Sequence, residues 1–445
     1  MKSLYRFQRQ TILTLLRDPK KHIVVATMGS GKGATSVYWA AKKCAETGKR
    51  KVLVITTSSK TKVRDAYKRN DFEQDADDFV TPNFRKAVQF ETVSWDLLYK
   101  WVENHKNELS QWVYIFDEIA KAKSGVSSRR GRAFLKIATA TNDWTGYTAT
   151  PGDSWIDFYA YFQACGLVNN KSQFTRRFCR VQTFKGFPEI VGYNEEDTLK
   201  RWWATISYAP DTSKVMSELP KANYSLVEFN RPPVYSKVIK LRQRVCEDGA
   251  FKPDPDYEDI IDNPSAMAHY LRQLCFTKEK QQWVTDFLEG LGDQCIIFYN
   301  YTATADEIER IAKRALPKGA KVWRIDGSHH IIPTAEMMGP RDIILTQWQS
   351  GSEGLNCQFI HIWLCVEMTY AYSIFNQAKG RVMRIGQTRP VFYYLLLSKQ
   401  TIEEDILKCI REKKSFSEKV WLLGQKLIKP KEENVSDKQA HRGSD

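Results

Sequence analysis

The 445-residue chain predicts an α/β protein of two parallel-sheet lobes with a mostly helical insertion between them. Three observations carry that prediction. Short apolar runs alternate with stretches of helical length over the first third of the chain, the alternation weakens in the middle, and it resumes towards the end.

Taken in order, residues 5–16 read as an amphipathic helix. The apolar runs at 22–26, 51–56, 88–93, 112–118 and 144–150 read as strands, separated by helices at 32–47, 59–70, 94–109 and 127–140. Short strands bounded by helices of this length imply a parallel sheet covered on both faces. Between about 164 and 277, charge, aromatics and prolines crowd together, as in Phe174-Thr175-Arg176-Arg177-Phe178 and Pro232-Pro233. That region reads as a largely helical insertion with a connecting segment. Strands at 295–300, 322–325, 343–346, 359–366 and 391–397 then alternate with helices at 303–316, 371–384 and from 401. The expected boundaries are 1–163, 164–277 and 278–428, with a polar, disordered tail at 429–445.

The first strand runs into Thr27-Met28-Gly29-Ser30-Gly31-Lys32-Gly33, followed by a helix. Strand, small-residue loop and helix form the context of a phosphate-binding loop, in which backbone N–H groups and the helix's positive end face the anion. Lys32 would bring a full charge to the β- and γ-phosphates. The match to the usual pattern is incomplete, because Ala26 stands at its first glycine and Gly33 at its hydroxyl position. The run 112–118 ends in Asp117-Glu118, at the strand end that faces the same crevice. Asp117 is placed to hold Mg2+, and Glu118 to orient and deprotonate a water. Taken alone, an Asp-Glu pair is a common solvated strand end. Arg381 and Arg384 lie three apart and are expected on one helix face, where two guanidinium groups suit a phosphate gaining charge, although the spacing alone better fits a basic face in water.

Bulk properties narrow the classes. A net charge of +15 favours an acidic partner, of which nucleic acid is the commonest. Nine scattered cysteines without a C-x-x-C pair argue against a disulfide framework or zinc site and for a reducing compartment. The start lacks the apolar core of a signal peptide, and no apolar run is long enough to span a bilayer. A cytoplasmic protein without membrane association is expected.

The order of these motifs resembles the superfamily-two helicases, and among them the Swi/Snf-type DNA translocases, particularly compact phage and bacterial members. Phe7-Gln8, Gly29-Ser30-Gly31-Lys32, 52–58, Asp117-Glu118-Ile119-Ala120 and Thr148-Ala149-Thr150-Pro151 carry the likeness in the first lobe. Gln173 to Phe178, Glu218-Leu219-Pro220 and Leu271 to Cys275 match landmarks of the insertion. Ile325-Asp326-Gly327-Ser328, Gln349 to Asn356 and Gln377 to Gln387 match the second lobe, and the Arg-Ile-Gly-Gln run is specific to this family. The likeness covers about residues 1–415.

The resemblance implies two RecA-like lobes whose closure on ATP and reopening walk the chain along nucleic acid. It assigns ATP to Gln8, Met28, Gly29, Ser30, Gly31, Lys32, Gly33 and Gly354, with Gln8 reading adenine. Lys32, Glu118, Arg381 and Arg384 would be catalytic, and Asp117 would hold Mg2+. Thr57, Ser58, Gln349 and Ser350 are candidate DNA contacts, with Arg176 and Arg177 as further phosphate contacts or a solvated basic turn. The DNA would be duplex, read without sequence preference through its phosphates. Protein partners, if used, would be separately encoded, and the setting a bacterial or phage-infected cell.

Two departures stand out. Gly33 lacks the metal-binding hydroxyl, and Thr35, about 200° further round a helix, is a poor substitute. The metal would then rest on Asp117, phosphate oxygens and waters, with slower turnover or a higher metal requirement. Ala120 replaces the box's histidine. These leave open a non-hydrolysing DNA-binding clamp, and the motifs alone also allow a strand-separating helicase on single-stranded DNA or RNA.

Overall fold

The computed structural model describes residues 2–61, 69–184, 187–242, 261, 263–329, 331–352 and 355–412. The chain divides into two compact units. One comprises Met1–Lys221, Ser352–Phe359 and Lys379–Arg389; the other comprises Ala222–Gly351, Ile360–Ala378 and Pro390–Asp445.

The first unit is built on six parallel strands: β1 (Ile23–Val25), β2 (Lys51–Thr56), β3 (Gln89–Ser94), β4 (Val113–Asp117), β5 (Trp144–Thr148) and β8 (Ser207–Tyr208), in the order β3-β2-β4-β5-β1-β8. In β2 and β4 both faces are buried. Leu53, Ile55, Tyr114 and Phe116 enter one core, and Val52, Val54, Val113 and Ile115 the other. This is why those strands read as unbroken apolar runs in the sequence. Helices α1 (Arg6–Arg17) and α2 (Lys32–Thr47) pack together, followed by α3 (Asp71–Phe79), α4 (Pro82–Ala87), α5 (Leu98–Asn104) and α6 (Arg129–Ala140).

Two expected helices differ. Of the helix expected at 59–70, residues 58–61 form a 3-10 turn, 62–68 lie outside the described residues, and 69–70 are non-helical. Helix α3 starts instead after Asn70, whose side chain accepts from the N–H groups of Phe72 and Glu73 while Glu73 accepts from the N–H of Asn70 at 2.8 Å. That reciprocal cap fixes the start. The helix expected at 94–109 is confined to Leu98–Asn104, because Ser94 completes β3 and its carbonyl accepts from Leu97 in a turn.

The segment expected to be largely helical also contributes strands. An antiparallel hairpin, β6 (Cys179–Phe184) with β7 (Phe187–Tyr193), forms a separate two-stranded sheet, and β9 (Ala222–Phe229) joins the second unit's sheet. The hairpin strands are mostly exposed, β9 is partly so, and all are mixed in polarity, so no apolar run marks them. Trp202 and Trp203 pack against Phe162 and Phe158, as core aromatics.

The second unit repeats the plan. Strands β10 (Cys295–Tyr299), β11 (Val322–Ile325), β12 (Ile343–Gln347), β13 (Ile362–Cys365) and β14 (Val391–Ser398) pair in parallel with β9 in the order β11-β12-β10-β13-β14-β9. Its core gathers Ile297, Tyr299, Leu345, Leu364 and Leu396. The helix expected from 401 is present at Ile402–Arg411; its continuation past 412 and the tail at 429–445 lie outside the described residues. No helix among the described residues is long and apolar enough to cross a membrane.

The loop after β11 is organised by Asp326. Its carboxylate accepts from Arg324 Nε at 2.6 Å, Tyr299 OH at 3.1 Å and the N–H groups of Ser328 and His329 at 2.8 and 2.9 Å. Burial alone would raise its pKa, but His329, Arg324 and the two N–H groups hold it well below the usual carboxylate range. The stabilisation is therefore complete above the unfolded value of about 3.9 and is lost as pH falls through the lower folded value. Asp326→Asn is expected to lower stability by about 1–3 kcal/mol near pH 7. In urea denaturation the difference should stay level from pH 8 to pH 6 and narrow below about pH 4.

Candidate nucleotide site

The loop 26–31 connects the carboxyl end of β1 to α2 and is held by its own backbone. Gly31, the N-cap of α2, has φ 73°, and the Ser30 hydroxyl donates to the Thr27 carbonyl at 2.7 Å. Lys32 Nζ turns back over the loop and donates to the carbonyls of Ala26 and Thr27 at 3.3 and 3.4 Å. Lys32 is half-buried by exposure, yet the protein around it is dense enough that desolvation is the largest influence on its ammonium. Desolvation lowers its pKa, Glu118 and Asp117 oppose this, and Lys60 and Arg381 reinforce it.

Gln8 reaches the loop from α1. Its Nε2 donates to the carbonyls of Ser30 and Gly31 at 3.3 and 3.1 Å, and its Oε1 accepts from the N–H of Tyr5 at 2.8 Å. Both ends of the amide expected to face adenine are thus engaged with protein backbone. Met28 and Gly29 form the turn of the loop, and Gly29 has φ 73°. A Cβ on Gly29 would overlap the Arg384 side chain and lie 2.8 Å from the Arg384 Cα. The N–H of Ile385 donates to the Gly29 carbonyl at 3.3 Å. The Arg-Ile-Gly-Gln run therefore touches the loop through backbone.

Arg381 and Arg384 do not share a helix face. The helix ends at Lys379, Gly380 follows, and residues 380–386 form turns in which Gly386 has φ 100°. A glycine at 380 and a positive φ at 386 both favour leaving the helix. Arg381 Nε donates to the Ser352 carbonyl at 2.8 Å. Both arginines nevertheless line one cavity of about 140 Å3, together with Gly33, Lys60, Asp75 and Asn356. Burial pushes the Arg384 guanidinium down to about 10, with Arg381 adding to the effect and Asp71 and Asp75 opposing it. Gly354 lies outside the described residues.

Asp117 is buried at the end of β4, 2% exposed. Its Oδ2 accepts from Thr56 Oγ1 at 2.6 Å and from Lys60 Nζ at 2.7 Å. Burial would raise its pKa, but the Lys60 charge, then hydrogen bonds from Lys60 and Thr56, hold it low, so it stays ionised. The ammonium on Oδ2 marks a cation position, and a hard carboxylate oxygen there suits Mg2+. Among the described residues no group of three or more His, Cys, Asp or Glu could hold a metal, so a divalent ion would draw its remaining ligands from phosphates and waters. Glu118 follows with φ 51° and ψ 52°, a left-handed conformation uncommon outside glycine.

Two residues here were not singled out from sequence. Lys60 sits three positions after Thr57 in the turn following β2. Asp75 lies four residues after Asp71 on the same face of α3, and burial, then Asp71, push its carboxyl up to about 7. The Asn70-x-x-Glu73 pattern would have revealed the helix but not its destination.

None of the expected nucleic-acid residues is among those lining this cavity. Thr57 is buried with its hydroxyl 3.1 Å from that of Ser59, while Ser58 is exposed. Gln349 is exposed and Ser350 half-buried in the short helix Trp348–Ser352 of the second unit. Arg176 and Arg177 end the helix Lys171–Phe178; Arg176 is exposed, and Arg177 pairs with Glu195 at 2.8 Å.

Comparison with known proteins adds three relatives and one family. Residues 279–386 match the helicase conserved C-terminal domain. The DNA repair and recombination protein RDH54 of Saccharomyces cerevisiae is 29% identical over 218 residues, covering 45% of this chain and 22% of that protein. An uncharacterized ATP-dependent helicase of Bacillus subtilis, YqhH, is 24% identical over 238 residues, covering 48% of this chain and 40% of its own. An uncharacterized ATP-dependent helicase of Mycoplasma pneumoniae is 23% identical over 327 residues, covering 69% of this chain and 30% of its own. The similarity thus spans less than half the length of each of these relatives.

Gly29→Ala is expected to cost about 1–3 kcal/mol, since it adds a Cβ both at positive φ and against Arg384. The urea midpoint would fall accordingly. Replacing Arg384 with glycine in the same variant should recover part of that loss by removing the overlapping side chain.

Proposed function

Because the chain is a Swi/Snf-like member of the superfamily-two helicases, we propose that it is a DNA-dependent ATPase that moves along duplex DNA. The observation carrying this reading is the gathering of Lys32, Lys60, Arg381 and Arg384 around the start of α2, where the desolvated charges of Lys32 and Arg384 are disfavoured by the cations beside them. A site that holds unlike-charge partners for only some of its cations favours a polyanion, and a helix N-terminus favours phosphate.

In this reading Lys32 leaves the carbonyls of Ala26 and Thr27 for the β- and γ-phosphates. Arg381 and Arg384 stabilise charge on the transferred phosphoryl group, and Glu118 orients the attacking water. Asp117 holds Mg2+, whose contribution when bound is to neutralise phosphate charge. Adenine recognition by Gln8 would exchange the two bonds it gives to Ser30 and Gly31. DNA phosphates are met by the exposed Ser58, Gln349 and Arg176, with Thr57, Ser350 and Arg177 in support. The yeast relative is named for DNA repair and recombination, which favours DNA over RNA as the track.

Phosphate release should rise most with duplex DNA, less with single strands and least with RNA. Lys32→Ala and Glu118→Gln should each lower it about 100-fold or more. Wild-type turnover no higher than that of Glu118→Gln would instead favour a DNA-binding clamp, a reading motivated by Gly33 and Ala120. Stimulation by single strands alone would favour an unwinding enzyme.

A further inference from the structure

The space that a side chain at position 33 would occupy is already filled. A Cβ built on Gly33 would overlap Oδ2 of Asp75, and would lie 3.5 Å from the Asp75 Cγ and 3.7 Å from the Phe72 Cε1. A carboxylate oxygen from α3 therefore stands in the space that a threonine side chain in this position would need. The neighbouring hydroxyls are committed to the helix. Thr35 Oγ1 donates to the Gly31 carbonyl at 3.0 Å, and Ser36 Oγ to the Gly33 carbonyl at 2.7 Å.

Asp75 is half-buried and lines the same cavity as Lys60, Arg381 and Arg384. Among the described residues it makes neither a hydrogen bond nor an ion pair within 4 Å, although three cations line that cavity with it. Unpaired carboxylate oxygens beside a phosphate-binding helix start are costly unless a ligand uses them. A hard divalent cation arriving with phosphates is the ligand class that takes carboxylate oxygen at such a place.

We propose that Asp75 supplies, from α3, the metal-ligating oxygen that Gly33 cannot, so that glycine and aspartate together replace the usual hydroxyl. This rests on the nucleotide-site reading above. The exchange puts an ionisable carboxyl where a neutral hydroxyl would stand, and a bound cation draws it into its charged form. Metal-free nucleotide is repelled and metal-bound nucleotide is favoured, which makes binding more metal-dependent than a hydroxyl would.

The test is a pair of binding measurements on the full chain: Mn2+ affinity of the ADP complex by electron paramagnetic resonance, and ADP affinity in EDTA. Asp75→Asn should weaken Mn2+ binding about tenfold and tighten ADP binding in EDTA. Gly33→Thr alone should impair both, because its Cβ meets Asp75. The double variant Gly33→Thr/Asp75→Ala should regain Mn2+ affinity to within about threefold of wild type. If Asp75→Asn binds Mn2+ within about twofold of wild type, whatever its melting temperature, Asp75 is only structural and the inference fails. If wild type binds ADP neither with metal nor without it, the nucleotide-site reading fails and takes this inference with it.

Discussion

Close approach at two glycines decides which groups can meet at the carboxyl end of β1. At Gly29 the absent side chain lets the backbone of 384–385 reach the loop, and Ile385 donates to the Gly29 carbonyl. At Gly33 it admits a carboxylate from α3. Any Cβ at either position would push one of these neighbours out, and the cavity they enclose would lose its arginines or its acid. Loop backbone, α3 and the 379–389 segment are thus tied to one another by what the loop lacks.

Charge then sets the demands of the place. Asp117 and Lys60 form a buried pair at 2.7 Å. Removing one partner of such a pair costs about 3–5 kcal/mol, because the other is left uncompensated away from water. The same pair neutralises Asp117 while nothing else occupies it, so the lysine stabilises the strand end and must yield if a metal ion takes that oxygen. Lys32 and Arg384 are disfavoured as charges by burial and by neighbouring cations, Lys60 and Arg381 beside Lys32 and Arg381 beside Arg384, which favours an anionic ligand there. The second unit handles its buried charge differently. Lys280 and Glu403 are almost fully enclosed and satisfy one another through both carboxylate oxygens, at 3.0 and 2.7 Å. That pair is closed, whereas the charges around the phosphate loop are left open to a ligand.

Much of the fold was legible because the central strands bury both faces. Runs such as Val52 to Ile55 and Ile343 to Leu345 are apolar without interruption, and neighbouring helices bound them on each side. The edge strands β8 and β9 were not legible, unlike the opposite edges β3 and β11: β9 leaves Tyr224 and Leu226 exposed, and its mixed polarity hides it among charged residues. The loop with Lys32 and the Asp117-Glu118 pair could be read because their chemistry is local to one turn. The helix face expected for Arg381 and Arg384 failed at Gly380, whose effect on the helix is local, yet both side chains still reach one cavity through turns. Asp75 was beyond reach of the sequence. Its position is set by the cap at Asn70 and by the packing of α3 on α2, which no spacing along the chain encodes.

The pairing of β9 with β14 bears on where this polypeptide can be cut. All eight residues of β14 are in register with β9, from Val391 opposite Ala222 to Ser398 opposite Phe229, and Tyr224 stacks on Tyr393 with ring centroids 5.0 Å apart. A fragment begun at the start of the helicase-family match would discard β9 and bare the hydrogen-bonding edge of a largely apolar strand, a template for association between copies. Recombinant pieces meant to isolate the second unit should therefore begin upstream of Ala222.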